Sequence, residues 1–283
     1  MDQKSQKIAV FDSGLGGLTV LKALQSLLPY EDFLYLADTA RLPYGSKSPA
    51  KIIHYTREIC DFLHQHSVKL IVMACNTATA VALEKIQPYF SIPLIGVIDP
   101  VIPQVIKASY QGRIGILGTL ATIQSGAYQT KLKRHLPHAE ITATAAPLLV
   151  HLVEEGFASH PMTHLALAEY LAPLIQAESD TVILGCTHFP LLKQQIEALL
   201  PPSTHVIDPS FACAEEVKRI LESLNLLNPK TTMTQPTFYV TDSPEKFQYQ
   251  SGPFLEEAPS HVHLHEGKDP LLLNPLELAA ALS

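Results

Sequence analysis

The sequence predicts an α/β fold made of two similar three-layer α/β lobes with mainly parallel sheets. Three observations point there. First, short apolar runs of strand length alternate with stretches whose apolar residues recur every three or four positions, the βαβ pattern of a parallel sheet. Second, two of the runs share a plan: Leu70-Ile71-Val72-Met73-Ala74-Cys75-Asn76-Thr77 and Val182-Ile183-Leu184-Gly185-Cys186-Thr187-His188. Each is an apolar run, a small residue, a cysteine and two polar hydrogen-bonding residues. Third, there is a faint repeat. Ile8-Ala9-Val10-Phe11-Asp12 resembles Ile114-Gly115-Ile116-Leu117-Gly118 at an offset of 106, the cysteine runs are offset by 111, and Asp99-Pro100 and Asp208-Pro209 by 109. The expected division is a first lobe over 1–98, completed by 209–283, and a second over 99–208. Such runs read as strands buried on both faces, and open α/β sheets place ligands at the C-terminal ends of their strands.

Taken in order, Ile8-Ala9-Val10-Phe11 is a strand ending in Asp12-Ser13-Gly14-Leu15-Gly16-Gly17, and Leu18, Leu21, Leu24 and Leu28 mark the face of the next helix. Glycines between strand and helix permit a tight turn and close approach to backbone N–H groups. The turn is therefore either an anion cradle or an ordinary βα connection. It is neither the dinucleotide fingerprint nor the phosphate loop with its lysine. Asp12 sets a carboxylate at the strand's end. Residues 32–36 read as a strand, 37–45 as a loop marked by Pro43 and Gly45, and 49–66 as a helix capped by Ser48. Cys60 lies inside that helix and reads as packing. After the first cysteine strand, an alanine-rich helix is expected over 78–90 and a strand over 94–98, with Asp99-Pro100 opening a helix.

Residues 113–117 form a strand ending at Gly118-Thr119, and a helix starts across Thr122 to Tyr128. Residues 141–143 are a weaker strand, 147–156 a helix carrying Glu154 and Glu155, and 162–177 a longer helix. The second cysteine strand leads to a helix over 190–200, a strand over 205–207 and a helix from Asp208-Pro209 to about 227. Phe238-Tyr239-Val240 is a strand, Ser243 caps a helix starting at Pro244, and His261-Val262-His263-Leu264 alternates as an edge strand. His261, His263 and His265 have metal-like spacing. No Cys or carboxylate completes a ligand set, which favours a solvated strand face. Residues 268–283 are apolar at 271–273 and 276–282, and read as a short amphipathic helix over the first lobe ahead of a subunit contact.

At 283 residues and 31.0 kDa, the chain can bury a sizeable core in one or two domains. A net charge of −7 argues against general nucleic-acid binding, which favours a basic face. No run of about 18 apolar residues exists, so no membrane span is expected. Residues 1–7 are polar and lack the apolar core of a signal peptide. The cysteines Cys60, Cys75, Cys186 and Cys213 include no Cys-x-x-Cys pair and make no dense disulfide framework. The expected setting is the cytoplasm, with reduced thiols.

Cys75 and Cys186 each precede an expected helix start, where a helix N-terminus lowers a thiol's pKa and favours thiolate. Asn76, Thr77, Thr187 and the glycine turn supply neutral donors for a carboxylate. His188 can hold or shuttle a proton near neutral pH. Asp12 and Glu154 are candidate partners for a thiol. Three chemistries fit. One thiol with His188 and a carboxylate makes a hydrolase or acyl-transfer site. Cys75, Cys186, His188 and Asp12 make a zinc site. Two thiols on opposite sides of a carbon exchange its proton between faces, acid–base catalysis with two bases. Against all three stands plain packing of strand-end cysteines. The paired presentation weakens the single nucleophile, which leaves one cysteine idle, and zinc lacks the short ligand spacing of structural sites.

Six motifs occur in one order. They are Phe11-Asp12-Ser13-Gly14-Leu15-Gly16-Gly17, Ala37-Asp38-Thr39-Ala40-Arg41-Leu42-Pro43-Tyr44-Gly45 and Ala74-Cys75-Asn76-Thr77-Ala78-Thr79, then Gly118-Thr119, Leu152-Val153-Glu154-Glu155-Gly156 and Gly185-Cys186-Thr187-His188-Phe189-Pro190. With them the sequence closely resembles the glutamate racemase family, cofactor-independent enzymes that make D-glutamate for peptidoglycan. The resemblance covers about 8–227 and, more loosely, reaches about 264. It implies two lobes with the active site in the cleft between them, and neither pyridoxal phosphate nor a metal. It implies that Cys75 and Cys186 are the two catalytic acid/bases, with Asp12 helping Cys75 and Glu154 and His188 helping Cys186. Glu155 is the alternative to Glu154, one position on.

The resemblance further implies that Ser13, Tyr44, Gly45, Asn76, Thr77 and Thr187 hold the substrate's amino and carboxylate groups, with Asp12, His188 and Thr119 beside them. The implied partner is glutamate, with no nucleic acid and no membrane, and the expected assembly is a homodimer. The expected function is interconversion of L- and D-glutamate. Next come an aspartate or broader amino-acid racemase, a cysteine hydrolase and a non-enzymatic binding protein. The sequence departs from the family at its end. Residues 254–258 keep only the Phe-Leu of the usual ending, and 268–283 match nothing in the pattern, which leaves the oligomer geometry open.

Overall fold

The computed structural model describes residues 3–255 and 257–265. Strands and helices alternate as the periodicity predicts. The chain builds β1 (Lys7–Asp12), α1 (Leu18–Leu27), β2 (Phe33–Ala37), α2 (Pro49–His64), β3 (Val68–Met73), α3 (Asn76–Ile86), β4 (Leu94–Gly96) and α4 (Ile98–Ala108). It continues with β5 (Arg113–Gly118), α5 (Leu120–Ser125), α6 (Ala127–His135), β6 (Glu140–Ala145), α7 (Pro147–Glu154), α8 (Pro161–Gln176), β7 (Thr181–Gly185), α9 (Lys193–Leu199) and β8 (His205–Ile207). Then come α10 (Pro209–Ser223), β9 (Thr237–Val240), α11 (Pro244–Gln250) and β10 (Val262–Leu264).

The strands form two sheets, ordered β10-β9-β2-β1-β3-β4 and β6-β5-β7-β8. Every described strand pair is parallel. The α/β class with parallel sheets is therefore the observed one. β1, β2, β3 and β7 are buried almost throughout, which is why they read as continuous apolar runs rather than as alternation. The repeat also has a structural meaning. The order β2-β1-β3-β4 in one sheet matches β6-β5-β7-β8 in the other. In each, the chain steps from the first strand to one side and then crosses to the other, and that switch point is where open sheets bind ligands. β3 and β7, the cysteine strands, hold the same place beside it.

A lysine is buried in this framework. Lys69 Nζ, inside β3, pairs with Glu31 at 2.6 Å and donates to the carbonyls of Lys4 and Leu226 at 2.8 Å each. A buried charge persists only with such partners. Here it pins the segment after α10 to the first sheet.

Several expected boundaries move. α3 starts at Asn76 rather than 78, so Cys75 is itself the N-cap. β4 ends at Gly96 and α4 begins at Ile98, two residues earlier than the strand reading allowed. The helix expected from Thr122 is two helices, because Gly126 adopts a left-handed φ of 66° that ends α5. The helix expected over 190–200 opens as a 3-10 turn, Phe189–Leu192, and becomes α-helical only at Lys193. α10 stops at Ser223. Ser243 makes no capping bond, because its φ of 50° replaces the extended backbone that aims a capping oxygen at the first turn. β10 is the expected edge strand, but the histidines in and after it are not simply solvated. His263 stacks on Tyr239 and His265 on Phe62, with ring centroids 5.0 and 3.8 Å apart. The reading of 268–283 as an amphipathic helix lies outside the described residues. Among the described residues no helix is long and apolar enough to cross a membrane.

Candidate active site

β3 and β7 each deliver a cysteine at the C-terminal end of a parallel strand. Cys75 and Cys186 line one cavity, together with Ser13, Pro43, Tyr44, Gly45, Asn76, Thr77, Thr119, Val150, Glu154, Thr187 and His188. All four cysteines are free thiols. Cys60 and Cys213 are fully buried and lie away from this cavity, so packing is their role.

At the first end, Cys75 Sγ accepts from the Ala78 amide at 3.5 Å and donates to Ser13 Oγ at 3.6 Å. The expected lowering of this thiol's pKa does not occur. Burial first, and then the charge of Asp12, push it up to about 12 against the Ala78 amide and Ser13. Removing a thiolate from water outweighs what the N-terminus of α3 offers.

Asp12 ends β1 and is 0% exposed. The glycine turn after it closes around its carboxylate. Gly14 N–H donates to Oδ2 at 2.9 Å, Gly17 supplies a second backbone bond, and Thr187 Oγ1 donates to Oδ1 at 3.3 Å. The anion this turn cradles is thus the chain's own side chain. Burial pushes the Asp12 carboxyl up, while His188 and these donors pull it down. No hydrogen bond among the described residues joins Asp12 to Cys75, so its reach to that thiol is by charge.

At the second end, Cys186 meets no helix N-terminus. It enters a turn in which His188 Nδ1 lies 3.7 Å from its Sγ. His188 Nε2 bonds Glu154 Oε1 at 3.0 Å, and Glu154 ends α7. Glu154, not the exposed Glu155, reaches the imidazole. Burial pulls the His188 pKa down, but hydrogen bonds and charge from Cys186 and Glu154 outweigh it and hold the ring up at about 10. A protonated ring there is a cation beside the Cys186 sulfur.

The remaining residues complete the wall. Thr77, Thr119 and Thr122 hydroxyls lie within 2.8–3.1 Å of one another. Gly45 packs on Thr119, where an added Cβ would meet Thr119 Cβ at 2.6 Å. Tyr44 lines the cavity, but its hydroxyl donates to Asp38 and is committed there. Asp38 in turn takes Arg41 Nε at 2.8 Å and Thr241 Oγ1 at 2.8 Å, and Arg41 also bonds Glu58. That network holds the loop bearing Tyr44 and Gly45. The hydroxyl at Thr122 was not a candidate from the sequence; its signal is the Thr119-x-x-Thr122 spacing, which puts Thr119 at the N-cap and Thr122 in the first turn of α5. Asp38 and Val150 were missed as well. Among the described residues, no group of three or more His, Cys, Asp or Glu side chains is placed to hold a metal ion, so the zinc arrangement of Cys75, Cys186, His188 and Asp12 is not formed.

A family model for Asp/Glu/hydantoin racemases matches residues 18–217. The chain belongs to that family. The enzyme class that follows, an amino-acid racemase, is the expected one. The chain is 42% identical over 248 residues to a glutamate racemase of Syntrophus aciditrophicus, covering 88% of this chain and 92% of that one. It superposes on a glutamate racemase isoform from Bacillus anthracis with a TM-score of 0.89, at 34% identity over 93% of this chain and 98% of that one. A glutamate racemase from Francisella tularensis, solved in complex with D-glutamate, gives a TM-score of 0.88 at 36% identity, over 94% and 99% of the two chains.

Proposed function

We propose that this racemase interconverts L- and D-glutamate without a cofactor, using Cys75 and Cys186 as a pair of acid/bases. The observation that carries it is that both thiols line one cavity, each with its own polar partner. Glutamate is the substrate of its relatives and is assigned here on that likeness. Supplying D-glutamate for peptidoglycan, from the cytoplasm and as a homodimer, belongs to the same reading, as does division into lobes at 99 and 208.

The chemistry follows from the neighbours. A Cys186 thiolate beside protonated His188 removes the α-proton, breaking C–H and forming S–H. The electron pair stays on the α-carbon and is delocalised into the carboxylate. Cys75, held as a thiol, gives its proton to the other face and becomes the thiolate. In the reverse direction the two exchange roles. Asp12 sets the charge at the Cys75 end, and Glu154 orients His188 at the other. Ser13, Asn76, Thr77, Thr119 and Thr187, with the Tyr44-Gly45 loop, hold the amino and carboxylate groups. The α-proton is weakly acidic, so fixed donors and exclusion of water must stabilise the developing charge. Cys75, Asn76, Thr77, Thr119, Cys186, Thr187 and His188 are all buried, which supports that demand.

The test uses reduced, chelator-treated protein with pure L-glutamate, and separately L-aspartate, followed by circular dichroism. Loss of the L-glutamate signal to a racemic end point is expected. An unchanged signal with folded protein overturns the reading. Faster loss with aspartate moves the substrate, and hydrolysis of an ester needing one cysteine moves the class.

A further inference from the structure

Tyr128 stands where the two cysteine ends meet and takes no part in the proton transfer. It lies on α6, just after the left-handed turn at Gly126. Its ring packs over Gly185, where an added Cβ would sit 3.5 Å from Tyr128 Cε2. Gly185 immediately precedes Cys186. Its hydroxyl donates to Asn76 Oδ1 at 2.7 Å, and Asn76 immediately follows Cys75. One side chain from the second half of the site therefore bonds the neighbour of one thiol and lies beside the neighbour of the other.

The bond also decides how Asn76 is presented. Tyr128 is 1% exposed and Asn76 3%. An asparagine amide offers an oxygen that accepts and an NH2 that donates. Among the described residues no other acceptor bonds this phenol. A flipped amide would turn NH2 toward it and strand the phenol hydrogen in a buried place. With Oδ1 engaged, Nδ2 is the atom Asn76 can offer to a ligand in the cavity it lines. Burial first, then the charges of Asp208 and Cys186, push the phenol's pKa up, so it remains a donor across the working range.

We propose that Tyr128 is a positioning residue for racemisation, acting through Asn76 by fixing which end of that amide faces the substrate. The proposal rests on the glutamate reading above. Tyr128→Phe keeps the ring over Gly185 and removes only the donor. Its KM for L-glutamate should rise about tenfold, with kcat changed less than about threefold, as loss of uniform binding requires. In an Asn76→Ala background the same change should have no further effect on kcat/KM, because the two act as one unit. A part in stability alone would lower the thermal midpoint and leave KM where it was. An unchanged KM in Tyr128→Phe overturns the proposal, and so does an equal loss in the Asn76→Ala background. Those outcomes leave the glutamate reading intact if the unmodified protein racemises. An unmodified protein that does not racemise glutamate overturns both.

Discussion

Cys75 follows β3 and caps α3, whereas Cys186 follows β7 and enters a turn and a short 3-10 segment. The two thiols come from matched strands in matched sheets. Their surroundings differ in sign. Cys75 faces a hydroxyl and lies within reach of a buried carboxylate, and its thiol is pushed up to about 12. Cys186 faces an imidazole that Glu154 anchors and that is held up at about 10. A shared backbone plan therefore does not give shared surroundings. A helix N-terminus alone is worth a fraction of a kcal/mol to about 2 kcal/mol. Burial next to a charge moves a group by several pKa units. The proposed two-base mechanism uses this difference, since it needs one thiol and one thiolate at the same time.

Four changes break or sharpen the contrast. The largest effect is expected from Cys75→Ser or Cys186→Ser, each lowering kcat about 10³-fold in both directions, the scale of a lost acid/base. Racemisation kinetics from either enantiomer check it, and a normal rate in one variant would show that its end is not a base. Next is Gly16→Ala. A Cβ there would meet Thr187 Oγ1 at 2.2 Å and His188 Nδ1 at 2.6 Å, displacing the Cys186 end relative to the Cys75 end. Misplacement of that size costs about 10²-fold in kcat/KM. The thermal midpoint of this variant should fall much less than its activity.

Glu154→Gln comes third. It keeps the hydrogen bond to His188 and removes the charge, so kcat should fall on the order of tenfold and the alkaline limb of the pH–rate profile should move to lower pH. The same change at Glu155, which is exposed, should do neither. The smallest effect is in stability. His188 is raised in the folded state, so its contribution is complete below about 6.5 and is lost as pH rises through about 10. Thermal midpoints measured between those values should decline, and His188→Asn should flatten the decline by on the order of 3 °C for each kcal/mol of linkage removed.

Much of this was legible in the sequence because it is written in local pattern. A strand buried on both faces is a continuous apolar run, and a small-Cys-polar ending marks its C-terminal end, so both thiols and Asn76, Thr77, Thr187 and His188 could be named. What was not legible depends on pairs far apart in the chain. Gly16 reads as a turn residue until Thr187 and His188 are found against it. Tyr128 reads as a helix residue until its hydroxyl is found on Asn76. Tyr44 reads as a loop residue until its hydroxyl is found on Asp38. The thiol at Cys75 was misjudged for a related reason. Its place at a helix start is local, whereas its burial beside Asp12 is set by the packing of β1 against β3.

The two-base account is tested most directly by where deuterium goes. L-glutamate and, separately, D-glutamate are converted to a few per cent in D2O, and both enantiomers are recovered and analysed by mass spectrometry. In that account different residues hold the proton removed and the proton delivered. The product enantiomer should therefore carry solvent deuterium at the α-carbon, while recovered starting material carries almost none, from either side. Product that retains protium, or starting material labelled as fast as product appears, would mean that one group serves both faces and would contradict the assignment of Cys75 and Cys186 to opposite ends of one transfer.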